Sequence, residues 1–202
     1  MARLNEQATP KQRVALYGGA FDPVHMAHIG VALAASEQYQ LDRVVFIPVA
    51  QSPLKNKAPV ASDAQRLRML ELATAEHDRF VVDNRELRRG GLSYTVDTVR
   101  GFVASEPEAE LFLIIGADQL EQIDQWHSIE ALAEMVTFLV LARPGYELSP
   151  PPVVGLVWRE VKAALMEVSS TAIRDLRRSG GSLGEFVPKA VETFIEAEGL
   201  YT

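Results

Sequence analysis

Short apolar runs alternate with amphipathic stretches along nearly the whole chain, and this alternation leaves few folds open. Apolar runs bounded by turn residues read as strands buried on both faces, and the stretches between them as helices covering those faces. That is the pattern of a doubly wound parallel α/β sheet with helices on both sides. The strand-like runs are residues 14–17, 44–48, 80–82, 111–115, 136–141 and, less clearly patterned, 165–168. Helices are expected over 27–39, 64–75, 96–105, 129–135, after Ser170 and over 188–198. Ser62 and Gln65 make a capping-box pair at the start of the second helix, and Gly199 suits the position just past the last one. Ser149-Pro150-Pro151-Pro152 is expected to be a loop, because proline neither donates to a strand ladder nor continues a helix.

A length of 202 residues with 48% hydrophobic content suits one α/β domain with one sizeable core. We expect a single domain over residues 13–202 behind a flexible polar tail at 1–12. That tail lacks the apolar stretch of a signal peptide. The most apolar runs, 111–115 and 136–142, are far shorter than the roughly 20 residues that cross a bilayer. No membrane partner is expected. A formal net charge of -7 speaks against wrapping nucleic acid, which needs an extended basic surface. A small polyphosphate is compatible with it, since a few local cations and backbone N–H groups can hold one. The chain has no cysteine, which excludes disulfides and thiolate metal sites and suits a cytoplasmic setting.

Chemistry concentrates in two stretches. Gly18 to His28 reads GGAFDPVHMAH directly after the first apolar run. A strand ending in two glycines lets a ligand approach the backbone, and His25 and His28, three positions apart, face what sits there. Near the other end, Ser169-Ser170-Thr171-Ala172-Ile173-Arg174 opens a helical run. Hydroxyl residues there cap free N–H groups and an arginine in the first turn adds permanent charge, a second arrangement suited to an anion. Asp22 before Pro23 suits a cap of the turn or of the coming helix. Zinc on Asp22, His25 and His28 is the weaker reading, because stable zinc sites take at least three ligands in tetrahedral geometry. No protein-bound metal is expected; Mg²⁺ would arrive on ATP phosphates.

Together these stretches resemble the GGxFDPxHxGH and ISSTxIR motifs of the HxGH nucleotidyltransferases, and most closely the bacterial nicotinate-mononucleotide adenylyltransferases. The stretches SYTVDT (93–98), IGAD (115–118), Trp126-His127 and RPGY (143–146) fall in the same order, so the resemblance runs from about Val14 to the C-terminus. It implies a Rossmann-like nucleotidyltransferase fold and transfer of the adenylyl group of ATP to nicotinate mononucleotide. The products are nicotinate adenine dinucleotide and pyrophosphate, in a step of NAD biosynthesis.

By that resemblance His25, His28 and Arg174 are catalytic, and Gly18, Gly19, Phe21, Gly116, Asp118, Ser169, Ser170 and Thr171 bind ATP. Phe21 also reads as a packing residue and Asp118 as a helix N-cap. Lys55, Thr95, Val96, Trp126, His127 and Arg143 are assigned to the mononucleotide. Trp126 would stack on the pyridine ring, and donors at Thr95, Val96 and His127 would hold the nicotinate carboxylate. Lys55 and Arg143 would neutralise phosphate. A homo-oligomer is compatible with the resemblance.

Three positions depart from the motif: Ala27 stands where HxGH has glycine, and Val49 and Leu54 stand where many relatives carry polar residues. They motivate one alternative, a nucleotide-binding regulator without catalysis. The nearest enzymatic alternative is a sibling adenylyl- or cytidylyltransferase of the same superfamily, taking phosphopantetheine or nicotinamide mononucleotide.

Overall fold

The computed structural model describes residues 11–54, 58–142, 148–149, 153–164, 166 and 168–202. Six strands form one parallel sheet: β1 (Arg13–Gly19), β2 (Arg43–Pro48), β3 (Phe80–Val82), β4 (Glu110–Gly116), β5 (Thr137–Leu141) and β6 (Trp158–Val161). Their order is β3-β2-β1-β4-β5-β6. The expected doubly wound architecture is therefore observed, and the strand order reverses direction between β1 and β4, the place where such sheets bind ligands.

Among the described residues, eight α-helices accompany the strands: α1 (Met26–Gln38), α2 (Asp63–Thr74), α3 (Arg85–Arg89), α4 (Thr95–Ser105), α5 (Ala117–Leu120), α6 (Ile129–Ala133), α7 (Ser170–Arg178) and α8 (Lys189–Ala197). Strand residues alternate between two cores. Ala15, Phe46, Phe112 and Leu139 point to the face covered by α1, α2, α7 and α8, where Ala32, Met69, Ile173 and Val191 meet them. Leu16, Ile47, Leu113 and Val140 point to the opposite face, against Val99 and Phe102 of α4 and Leu132 of α6.

Local signals account for several boundaries. The Ser62 hydroxyl accepts the Gln65 N–H, while Gln65 Oε1 accepts the Ser62 N–H, as the capping-box pattern requires. Gly199 takes φ 60° after α8, and the Leu200 N–H returns to the Ile195 carbonyl, closing that helix in the left-handed turn glycine favours.

The sixth strand corrects the sequence reading. Residues 166 and 168 lie in no strand, and β6 is Trp158–Val161 instead. Only Val161 of that strand is fully buried, because β6 is an edge strand that shows Arg159 and Glu160 to solvent. Polar residues on an edge are how sheets avoid pairing with other chains, and they remove the apolar run that marks an interior strand. The short helices α3 and α5 are likewise additions to the sequence reading. Residues 1–10 of the expected tail and most of the expected proline loop lie outside the described residues. Among the described residues no helix is long and apolar enough to cross a membrane.

Candidate active site

The register of β1 opens the site. Pairing with β4 stops at Leu16 against Leu113, whereas pairing with β2 continues to Gly19 against Pro48. Beyond Leu16 the sheet therefore splits at the switch point. A cavity of about 380 Å³ fills the gap, lined by Gly18 and Gly19, by Leu113 and Ile115, and by Thr95, Trp126 and His127. Five of the residues assigned from sequence thus come together. A Cβ at Gly19 would lie 3.0 Å from the Phe21 ring, so glycine allows that close approach.

The cavity wall is apolar apart from a few groups. Thr95 and Val96 begin α4, so their N–H groups have no carbonyl four residues back within the helix. The Val96 side chain is fully buried, which leaves its backbone as the part suited to a ligand. Trp126 Nε1 and Glu86 Oε2 are buried without a hydrogen-bond partner, and both residues line the cavity. The Tyr94 and His127 rings lie 4.5 Å apart at the rim.

The second half of the site is built around the turn that follows β1. His25 and His28 stack with ring centroids 3.7 Å apart. The His25 N–H donates to His28 Nδ1 at 3.2 Å, which assigns the proton of the neutral His28 ring to Nε2. Phe21, only 2% exposed, packs its ring 5.0 Å from that of His28. Its packing role is therefore observed, and its side chain serves the site by holding His28. Burial lowers the pKa of His25 to about 4. In the free protein the His25 ring is therefore neutral near pH 7, since desolvation disfavours the charged form.

From the far end of the chain, α7 docks on the same turn. The Ser170 hydroxyl donates to the Pro23 carbonyl at 2.9 Å, and Arg174 Nη1 donates to the Asp22 carbonyl at 2.7 Å. Arg174 Nη2 donates to the Thr171 hydroxyl at 3.1 Å. The Ser169 hydroxyl caps α7 by accepting the Ala172 N–H at 3.1 Å. The two motif stretches are thus one surface, joined across about 150 positions of sequence. Ser169 does not directly follow a strand, because residues 162–168 separate it from β6.

Asp22 caps neither the turn nor α1, and His25 is the N-cap of that helix. Its carboxylate is 4% exposed and each oxygen is engaged twice. Oδ1 accepts the Ala61 N–H at 3.0 Å and the Tyr201 hydroxyl at 2.7 Å; Oδ2 accepts the Val60 N–H at 2.7 Å and faces Arg174 Nη1 at 3.7 Å. Three hydrogen bonds and the ion pair with Arg174 account for the position of this buried carboxylate. Among the described residues no group of three His, Asp or Glu stands in metal-ligating geometry.

Gly116 ends β4 and is the N-cap of α5, so Asp118 stands inside the helix and is not its cap. A Cβ on Gly116 would lie 2.5 Å from the Asp118 carboxylate, so glycine gives that side chain room. Asp118 is exposed, two residues past the end of β4. Lys55 and Arg143 lie outside the described residues.

One organising residue has no counterpart in the sequence reading. Arg66 is 0% exposed, and its Nη atoms donate to the Ala20 and Val49 carbonyls at 2.7 and 2.8 Å. It ties the turn after β1 to the end of β2. A signal did exist, for Arg66 falls in the i, i+3, i+4, i+7 stripe completed by Met69, Leu70 and Ala73.

The chain is similar to known proteins along most of its length. The model of the cytidylyltransferase-like family matches residues 16–176. A probable nicotinate-nucleotide adenylyltransferase of Thermus thermophilus is 45% identical over 191 residues, covering 94% of this chain and 99% of that protein. One from Geobacillus kaustophilus is 42% identical over 190 residues, covering 94% and 86%. Plasmodium falciparum nicotinic acid mononucleotide adenylyltransferase, solved with NaAD, shares the fold at a TM-score of 0.77 and 16% identity, covering 94% and 97% of the two chains.

Proposed function

The chain belongs to the cytidylyltransferase-like family, alongside the nicotinate-nucleotide adenylyltransferases, and we propose that it is an enzyme of that activity. It transfers the adenylyl group of MgATP to nicotinate mononucleotide, giving nicotinate adenine dinucleotide and pyrophosphate, a step of NAD biosynthesis. One observation above all supports the residue roles: Ser170 and Arg174 dock onto the Asp22–Pro23 turn beside a cavity that carries Trp126.

A 5′-phosphate oxygen of the mononucleotide forms a bond to the α-phosphorus of ATP. The bond from that phosphorus to the bridging oxygen breaks, and its electron pair leaves with pyrophosphate. The attacking oxygen is already anionic, so the reaction needs no strong base and no covalent nucleophile. What it needs is alignment of two anions and relief of their repulsion. In our reading Arg174 supplies permanent charge to the triphosphate, and His28 offers Nε2–H to its oxygens. His25, buried and neutral beforehand, takes up a proton as the polyphosphate arrives, because the anion opposes the desolvation that lowered its pKa. Mg²⁺ travels on the nucleotide phosphates as part of the substrate.

The cavity takes the mononucleotide. Trp126 gives the pyridine ring a flat partner, and the Thr95 hydroxyl with the first N–H groups of α4 faces the nicotinate carboxylate. These donors favour the acid over the amide, whose carbonyl offers one acceptor oxygen instead of two. Gly18 and Gly19 let phosphate approach the backbone, and Asp118 meets a ribose. We place the enzyme in the cytoplasm.

Pyrophosphate release measured with ATP and each of nicotinate mononucleotide, nicotinamide mononucleotide and phosphopantetheine tests the reading. Highest turnover is expected with nicotinate mononucleotide. Best turnover with phosphopantetheine would make the protein a sibling transferase, and ATP binding without any release would make it a regulator.

A further inference from the structure

Tyr201, the penultimate residue of the chain, is buried, and its hydroxyl donates to Asp22 Oδ1 at 2.7 Å across 179 positions of sequence. The reaction as described does not use it. Its effect follows from what Asp22 would otherwise do. A buried carboxylate beside a guanidinium closes to a charge-assisted hydrogen bond of about 2.7–2.9 Å when nothing opposes it. Here Asp22 Oδ2 and Arg174 Nη1 stand 3.7 Å apart, and Nη1 donates instead to the Asp22 backbone carbonyl at 2.7 Å.

Three donors hold the carboxylate in that position: the N–H groups of Val60 and Ala61 and the Tyr201 hydroxyl. Only the last is a side chain, delivered by the segment after α8. With three of its lone pairs engaged by these donors, the Asp22 carboxylate stays in an ion pair with Arg174 at 3.7 Å and leaves the Nη1 hydrogen bond to its own backbone carbonyl. That bond and the one from Nη2 to Thr171 fix the plane of the guanidinium at the surface of the turn.

We propose that Tyr201 is a positioning residue for triphosphate binding: it restrains the Asp22 carboxylate so that Arg174 keeps the orientation set by the Asp22 backbone carbonyl. The inference rests on the role given to Arg174 under Proposed function. It adds that the C-terminal segment completes the nucleotide site.

The test is a double-mutant cycle with Tyr201→Phe and Arg174→Ala, read as KM for ATP and kcat, with thermal unfolding measured on each variant. Tyr201→Phe removes one oxygen and keeps the ring. We expect KM for ATP to rise roughly five- to tenfold, less than the full worth of a buried hydrogen bond to a charged group because Tyr201 acts on the nucleotide only through Asp22 and Arg174. In the Arg174→Ala background the same substitution changes KM for ATP less than about twofold, since interacting residues are not additive. An unchanged KM for ATP in folded Tyr201→Phe, even with a lower Tm, overturns the inference and assigns Tyr201 to stability alone. So does an equal effect of Tyr201→Phe in both backgrounds. If Arg174→Ala itself leaves KM for ATP unchanged, the role given to Arg174 fails first and the inference falls with it.

Discussion

The two halves of the site differ in how far their polar groups are paired. Around the turn after β1, most are paired before any ligand arrives: Ser170, Arg174, Asp22, Tyr201 and Arg66 bond to one another or to backbone groups, while His25 Nδ1 and Arg66 Nε are buried without a partner. In the cavity at the sheet's switch point, Trp126 Nε1 and Glu86 Oε2 stand buried and unsatisfied against an apolar wall. A prearranged cationic surface suits a highly charged ligand, because the site does not have to reorganise as charge develops. Unsatisfied groups in an apolar pocket instead penalise any occupant that cannot pair them, which is a source of selectivity. Rate should therefore depend on the turn, and choice of acceptor on the cavity.

The largest effect that divides the halves is expected for Arg174→Ala. It should lower kcat/KM by roughly a hundred- to a thousandfold, the scale seen when one prearranged electrostatic contact is removed. Steady-state pyrophosphate release checks this, and wild-type kinetics in that variant would remove Arg174 from the mechanism. Trp126→Ala should act on the other half. KM for nicotinate mononucleotide is expected to rise about tenfold, for loss of a stacking partner, with KM for ATP unchanged. A comparable rise in both constants would erase the division drawn above.

Acid should sharpen the comparison through His25. Its folded pKa is lowered to about 4, while the unfolded ring keeps the ordinary value near 6.5. The unfolded state thus binds the extra proton first as pH falls. Stability attributable to His25 is complete above about pH 6.5 and is lost between there and about pH 4, a total of about 3 kcal/mol. Urea unfolding at a series of pH values should show this slope in the wild type and a shallower one in His25→Gln. An identical pH dependence in both would contradict the buried neutral ring. The smallest effect is expected for Ser169→Ala, which removes the α7 cap at a cost of about 1 kcal/mol in stability. If it also raises KM for ATP more than about threefold, Ser169 touches nucleotide as well as capping the helix.

What could be read from the sequence follows the range of the interactions involved. Interior strands such as β4 are legible because burial on both faces demands a continuous apolar run, and α2 is legible because its Ser62–Gln65 cap lies within four residues. The edge strand β6 is not, since one exposed edge lets Arg159 and Glu160 replace the apolar signal. The same distinction holds at the site. His25, His28 and the SSTAIR stretch carry chemistry in a local motif, and the structure joins them on one surface. Arg66 and Tyr201 look like an ordinary helical arginine and a terminal aromatic until the chain brings their partners to them.

The sequence by itself determined the sheet class, most of the elements and the two anion-binding stretches, because periodicity, capping and motif spacing are properties of neighbouring residues. Only the tertiary structure decided which groups remain free to act. It buried His25 into its neutral form, brought donors to the Asp22 oxygens from two distant segments, and held Arg174 at the Asp22 carbonyl in an ion pair with its carboxylate. Desolvation and hydrogen-bond satisfaction depend on everything packed around a group, and most of that lies far away in sequence.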